Sequence, residues 1–183
     1  VIAGHVGLAA AAYHPRRDGS PVWLLGASMA PDMLDGLYVI AGLCNPHGLY
    51  SHTVPAAALL AAAVGGTAFL ATDRRAFGLM AAALVLLHLP LDYVTGLKLF
   101  WPGDELRGLR LYSRPGWDFV LESTIALTGW WLLRRRTGAA RWTTAWPAIT
   151  ALLALQATAD IVGGSRGGVK PSACGQEMVV GHE

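Results

Sequence analysis

The chain has 183 residues, 54% of them hydrophobic and only 14% charged, roughly half the charged share of a soluble domain. A mean hydropathy of +0.42 points the same way and excludes an ordinary water-soluble enzyme surface. The net charge of +2 supplies no basic face, which excludes nucleic acid as a partner.

The length suits one domain. From the N-terminus, the runs Val1 to Tyr13 and Ser20 to about Leu43 are apolar. The first is short, and the second is interrupted by Pro31, Asp32, Asp35 and Gly36, so two shorter or broken helices are expected there, spanning or re-entrant. The segment from Val1 lacks the basic region of a cleavable signal peptide, and none is expected. Between Gly36 and Thr72 no Asp, Glu, Lys or Arg occurs, and Thr53 to Thr72 is mostly Ala, Leu and Val. That run is long enough to cross a bilayer. Ala76 to about Thr95, Trp117 to Leu133 and Trp142 to Ala159 repeat the pattern. The fold class expected is therefore all-α, a polytopic transmembrane bundle with four clear spans plus two shorter or broken N-terminal helices. Trp101, Trp117, Trp130, Trp131, Trp142 and Trp146 fall near the expected ends, where amphipathic rings favour the headgroup region. Residues 1–163 read as one membrane domain and 164–183 as a flexible polar tail. Cys44 and Cys174 fit neither a disulfide framework nor a structural zinc site and read as ordinary thiols.

Six spans would put His14 to Gly19, Asp73 to Arg75 and Arg134 to Thr143 on one side. These short segments carry Arg16, Arg17, Arg74, Arg75, Arg134, Arg135, Arg136 and Arg141. Dense basic loops stay in the cytoplasm, so that side is expected to face the cytoplasm.

All 14 Lys and Arg fall in loops or the tail, whereas Asp32, Asp35, Asp92, Asp118, Glu122 and Asp160 fall within or at the ends of apolar segments. An ionised carboxylate at bilayer depth costs several kcal/mol unless something compensates it. A proton, a water-filled mouth or a metal ion would do so. His88 and Asp92, four apart, share a helix face, as do Asp32 and Asp35, three apart. In the six-span arrangement His5, His47, His52, His88, Asp92, Asp118 and Glu122 all approach the side opposite the Arg-rich loops. Asp32 also reads as a helix N-cap, and Asp118 with Glu122 as acids at a helix N-terminus. His14 and His182 lie elsewhere, and Asp160 reads as structural. Neutral imidazole with carboxylate is the donor mixture that suits zinc or a similar divalent ion.

These residues resemble, in order, the motifs of the YdjM-like family of membrane-bound metal-dependent hydrolases. Gly4-His5 fits its N-terminal Gly-His. Pro31-Asp32-Met33-Leu34-Asp35 resembles its Pro-Asp-x-Asp with one extra residue. His47-Gly48-Leu49-Tyr50-Ser51-His52-Thr53 keeps both histidines of its His-Arg-Gly-x-Thr-His-Ser segment, and His88 to Thr95 keeps His-x-x-x-Asp-x-x-Thr, followed by Trp101-Pro102. The resemblance covers about residues 4 to 102 and implies a bacterial cytoplasmic (inner) membrane as the location. It implies one or two divalent ions, zinc first, with His5, Asp32, His52, His88 and Asp92 as ligands. Asp35 and His47 become further ligands or the catalytic base, and Asp118 or Glu122 would orient a ligand histidine from behind. Gly48 stands where the family has arginine, so an anion clamp is expected from Arg107, Arg110 or Arg114 instead.

The function expected is metal-assisted hydrolysis of an ester or phosphoester at the membrane surface, with membrane lipids and a lipid-linked or phosphoester substrate as partners, and with the site on the non-cytoplasmic side. Intramembrane acids and histidines also build ion pathways, so a metal-ion or proton transporter is the rival reading. A non-catalytic scaffold would explain the spans but not these residues.

Overall fold

The computed structural model describes residues 2–15, 20–136 and 141–165. Three short helices come first, α1 (Ala3–Ala12), α2 (Pro21–Ser28) and α3 (Ala30–Ile40); then α4 (Val54–Thr72), α5 (Arg75–Thr95), α6 (Pro115–Arg135), α7 (Arg141–Thr144) and α8 (Trp146–Ser165). A two-residue antiparallel pairing, β1 (Lys98–Leu99) with β2 (Leu106–Arg107), joins α5 to α6. The fold is otherwise all-α. The broken second segment is present as expected: Met29, at φ −101 and ψ 1, separates α2 from α3, and Pro31 follows in the first turn, where its missing N–H costs nothing.

α4 and α5 form a tight hairpin, reversed at Asp73 in the left-handed conformation (φ 54). Their mean hydropathies are 1.9 and 1.7, yet only 22% and 50% of those apolar stretches are buried. Leu59, Leu70 and Leu79 are 74%, 81% and 72% exposed. Apolar helices that face outward suit lipid contact rather than a soluble core. At 1.5 Å per residue α4 is about 28 Å long, close to the hydrocarbon thickness of about 30 Å.

Four clear spans were expected; among the described residues two helices, α4 and α5, are long and apolar enough. α6 has the length, but Asp118 in its first turn, Glu122 one turn on, and Arg134 and Arg135 in its last turn thin the apolar stretch. The expected run from Trp142 is divided between α7 and α8, because Pro147 cannot donate to the preceding turn; the apolar part is Trp146–Val162. Of the expected tail, residues 166–183 lie outside the described residues. Cys44 is disulfide-bonded, which corrects its reading as a thiol.

α1 packs along α6 through glycine. A Cβ at Gly7 would lie 2.6 Å from the Ile125 carbonyl oxygen, and one at Gly129 would lie 2.0 Å from that of Gly7. Only glycine permits this approach, and close backbone contact is what holds helices together where lipid replaces water. At its N-terminal end α1 is held by Gln156, whose Oε1 accepts from the Ile2 and Ala3 N–H groups, both at 3.1 Å. At the other end the Arg136 guanidinium donates to the carbonyls of Ala11 and Tyr13. α1 and α6 therefore run parallel. Arg134 to Arg136 and the Arg74–Arg75 turn lie at the helix ends away from His5, His52 and Asp92.

Candidate metal centre

Four chain segments meet at that other end. α1 carries His5, α3 carries Asp32, the turn before α4 carries His52, and the last turns of α5 carry His88 and Asp92. Ligand-type atoms of Asp32, His52, His88 and Asp92 all lie within 4.8 Å of one another. His52 Nε2 is 3.0 Å from Asp92 Oδ2 and 3.4 Å from Asp32 Oδ1. His88 Nε2 is 3.2 Å from His52 Nε2 and 3.5 Å from Asp92 Oδ2. The three histidines are fully buried, and Asp92 is 4% exposed; Asp32, with its side chain 28% exposed, forms the open edge.

Local backbone fixes these directions. The i, i+4 spacing on α5 aims His88 and Asp92 the same way. His88 Nδ1 lies 2.9 Å from the Ser28 carbonyl oxygen, which can only accept, so Nδ1 carries the proton and Nε2 turns a lone pair to the cluster. His52 sits on a bend in which its N–H donates to the Gly48 carbonyl at 2.7 Å. Gly48 has φ +73, and a Cβ there would crowd His52 Nδ1 at 3.0 Å. A side chain at residue 48 would have to shift the His52 ring by a few tenths of an ångström and hold a left-handed backbone, and glycine avoids both.

Asp35 stands behind His52. Its Oδ2 is 3.4 Å from His52 Nδ1, and its Oδ1 accepts from Asn45 Nδ2 and Ser51 Oγ. Ser51 Oγ is also 2.7 Å from His52 Nδ1. A carboxylate behind a histidine sets the tautomer and orientation of a metal-ligating imidazole. His5 lies beside the cluster, its ring centroid 3.9 Å from that of His88 and its Nε2 3.9 Å from Asp92 Oδ1. Neither of its ring nitrogens has a hydrogen-bond partner, which is unusual for a fully buried histidine. His47 stays outside the cluster, half-buried at φ 51 in the single turn Pro46–Gly48.

The donor set fits a divalent cation. His88 Nε2 and the two aspartates present lone pairs or negative charge to one small volume, and acceptors so placed repel one another unless a cation lies between them. Two partial compensations are visible. Burial works against a charged His52, but its hydrogen bonds to Asp32 and Asp92 prevail and raise its pKa. Lys98, on β1, reaches in from the connecting hairpin, with Nζ 2.9 Å from Asp92 Oδ2. In the sequence Lys98 falls in a loop, six residues beyond Asp92 and past the end of α5, and only the hairpin brings it back to the carboxylate. Arg107, Arg110 and Arg114, expected to clamp an anion, are exposed.

Asp118 and Glu122 are buried on α6, and Glu122 turns to α1. Glu122 Oε2 accepts from the Gly4 N–H at 2.7 Å, next to the Gln156 contacts, and Gln156 Nε2 donates to Asp160 at 2.7 Å. Asp118 lies beside Asp160. Glu122 and Gln156 thus hold the helix that carries His5.

A model of the family described as YdjM inner membrane protein matches residues 1–161. No curated protein and no solved structure matches the chain.

Proposed function

The chain belongs to the YdjM inner membrane protein family, and on that premise we propose that it is an integral membrane metal-dependent hydrolase acting on an ester or phosphoester at the membrane interface. The observation that carries this reading is the convergence of Asp32, His52, His88 and Asp92 to within 4.8 Å. Imidazole with carboxylate is zinc-type chemistry. A bound divalent ion would polarise the scissile bond and make a water acidic enough to serve near neutral pH.

The chain's own residues do the rest. Asp32, His52, His88 and Asp92 would hold the ion, with Asp92 offering Oδ2 to the four-group cluster and Oδ1 toward His5, which leaves room for one ion or two. Ser28 and Asp35 keep the two imidazoles directed inward. The buried histidines exclude water from three sides, and substrate approaches past Asp32. Next to that opening α3 exposes Met33, Leu37 and Ile40 at 58%, 60% and 84%, an apolar flank suited to the chain of a lipid-linked substrate. The Arg-rich turn and helix end lie away from the cluster, which supports a site on the non-cytoplasmic side. The Arg-rich ends then face the cytoplasm, in keeping with the positive-inside rule.

A transporter would need polar groups continuing across the bilayer, and α4 carries none between Val54 and Thr72 that ionises. The deciding assay offers chromogenic phosphoesters and carboxyl esters in mixed micelles to zinc-loaded protein, wild type against Asp92→Asn. Turnover that falls by about 100-fold or more on substitution is expected. Metal or proton flux in liposomes, with no turnover of any ester and abolished by the same substitution, would overturn the enzyme reading.

A further inference from the structure

Lys98 is buried among groups that a metal would claim. Its Nζ bonds to Asp92 Oδ2 with 11% of the side chain exposed, and that same oxygen faces His52 and His88. The backbone puts it there. β1 pairs with β2, Leu99 accepts from the Tyr93 hydroxyl at 2.7 Å, and Phe100 accepts from the Val54 N–H at 3.0 Å, so the strand is pinned to the end of α5 and the start of α4. A lysine serving only to neutralise Asp92 would be redundant once a divalent ion sits on that oxygen, and its like charge would oppose the ion. Its flexible four-carbon stem lets the ammonium leave Oδ2 and stay at the rim. A side chain at residue 48 would crowd the His52 ring, 3.0 Å from where a Cβ would lie.

We propose that Lys98 binds the anionic oxygens of a phosphate-ester substrate beside the metal centre, and that its ion pair with Asp92 is the resting position it leaves. This rests on the metal-site reading above and adds to it the charge of the substrate. An ammonium is a point donor suited to phosphoryl oxygens, and the metal and Lys98 together would grip the substrate from two directions.

The test titrates zinc, and then inorganic phosphate, calorimetrically into the detergent-purified chain as wild type, Lys98→Met and Lys98→Arg. Lys98→Met should match or exceed the wild type in zinc affinity, because the competing ammonium is gone, while losing at least about tenfold in phosphate affinity. Lys98→Arg should recover most of that loss. Micelles doped with phosphatidic acid replace inorganic phosphate in a second arm: tighter binding there assigns a lipid headgroup, and equal or weaker binding assigns a free phosphate ester. A lysine that merely supports the fold would lower zinc and phosphate affinities together. That result, equal phosphate affinity in zinc-loaded wild type and Lys98→Met, or no binding of either phosphate form to zinc-loaded wild type, overturns the role. A wild type that takes up no zinc overturns the metal-site reading beneath it and is recognised before phosphate is added.

Discussion

Asp92 and Glu122 are both buried acids on long helices, 4% and 0% exposed, and their neighbours give them different work. Asp92 faces two imidazoles and an ammonium. Glu122 faces the backbone of another helix, with one oxygen on the Gly4 N–H and the other unpartnered. One acid belongs to a cluster of imidazoles, carboxylate and ammonium, and the other caps the N-terminus of α1, where backbone N–H groups need acceptors. Burial and residue type are alike in the two, so the chemistry of each is decided by whether side chains or main chain surround it.

Three substitutions sharpen that contrast. Asp92→Asn is nearly isosteric but removes a ligand charge, and zinc affinity should fall by more than about 100-fold, beyond the loss typical of groups that only support ligands. Asp35→Asn keeps the shape behind His52 while weakening its hold on Nδ1, and should cost about 10- to 100-fold. Glu122→Gln keeps an oxygen that can accept from Gly4, and zinc affinity should change by less than about threefold, under 1 kcal/mol. Competition with a chromogenic chelator reads all three. Equal losses in Asp92→Asn and Glu122→Gln would break the distinction between the two acid groups.

Much of the centre was legible in the sequence. His88 and Asp92 declare themselves by helical spacing, and the ordered motifs name Asp32 and His52 across stretches of chain that no local rule connects; His5, named with them as a ligand, lies beside the four-group cluster. Lys98 was hidden because its place depends on a hairpin folding back onto α5, which neither hydropathy nor spacing encodes. Glu122 was assigned to a histidine because the contact of α1 with α6, made through Gly7 and Gly129, leaves no periodic signature. The span count was overestimated at α6 and α8 for the opposite reason: apolar composition was visible, but the polar first turns of one and the Pro147 break of the other decide what the helices become.

The central claim is that Asp32, His52, His88 and Asp92 form a metal centre, and elemental analysis of the detergent-purified protein tests it most directly. Wild type reloaded with zinc and passed through a desalting column should retain one or two ions per chain, and Asp92→Ala treated identically should retain almost none. Wild type that carries no divalent metal above the buffer blank, or Asp92→Ala that retains as much as wild type, would contradict the account.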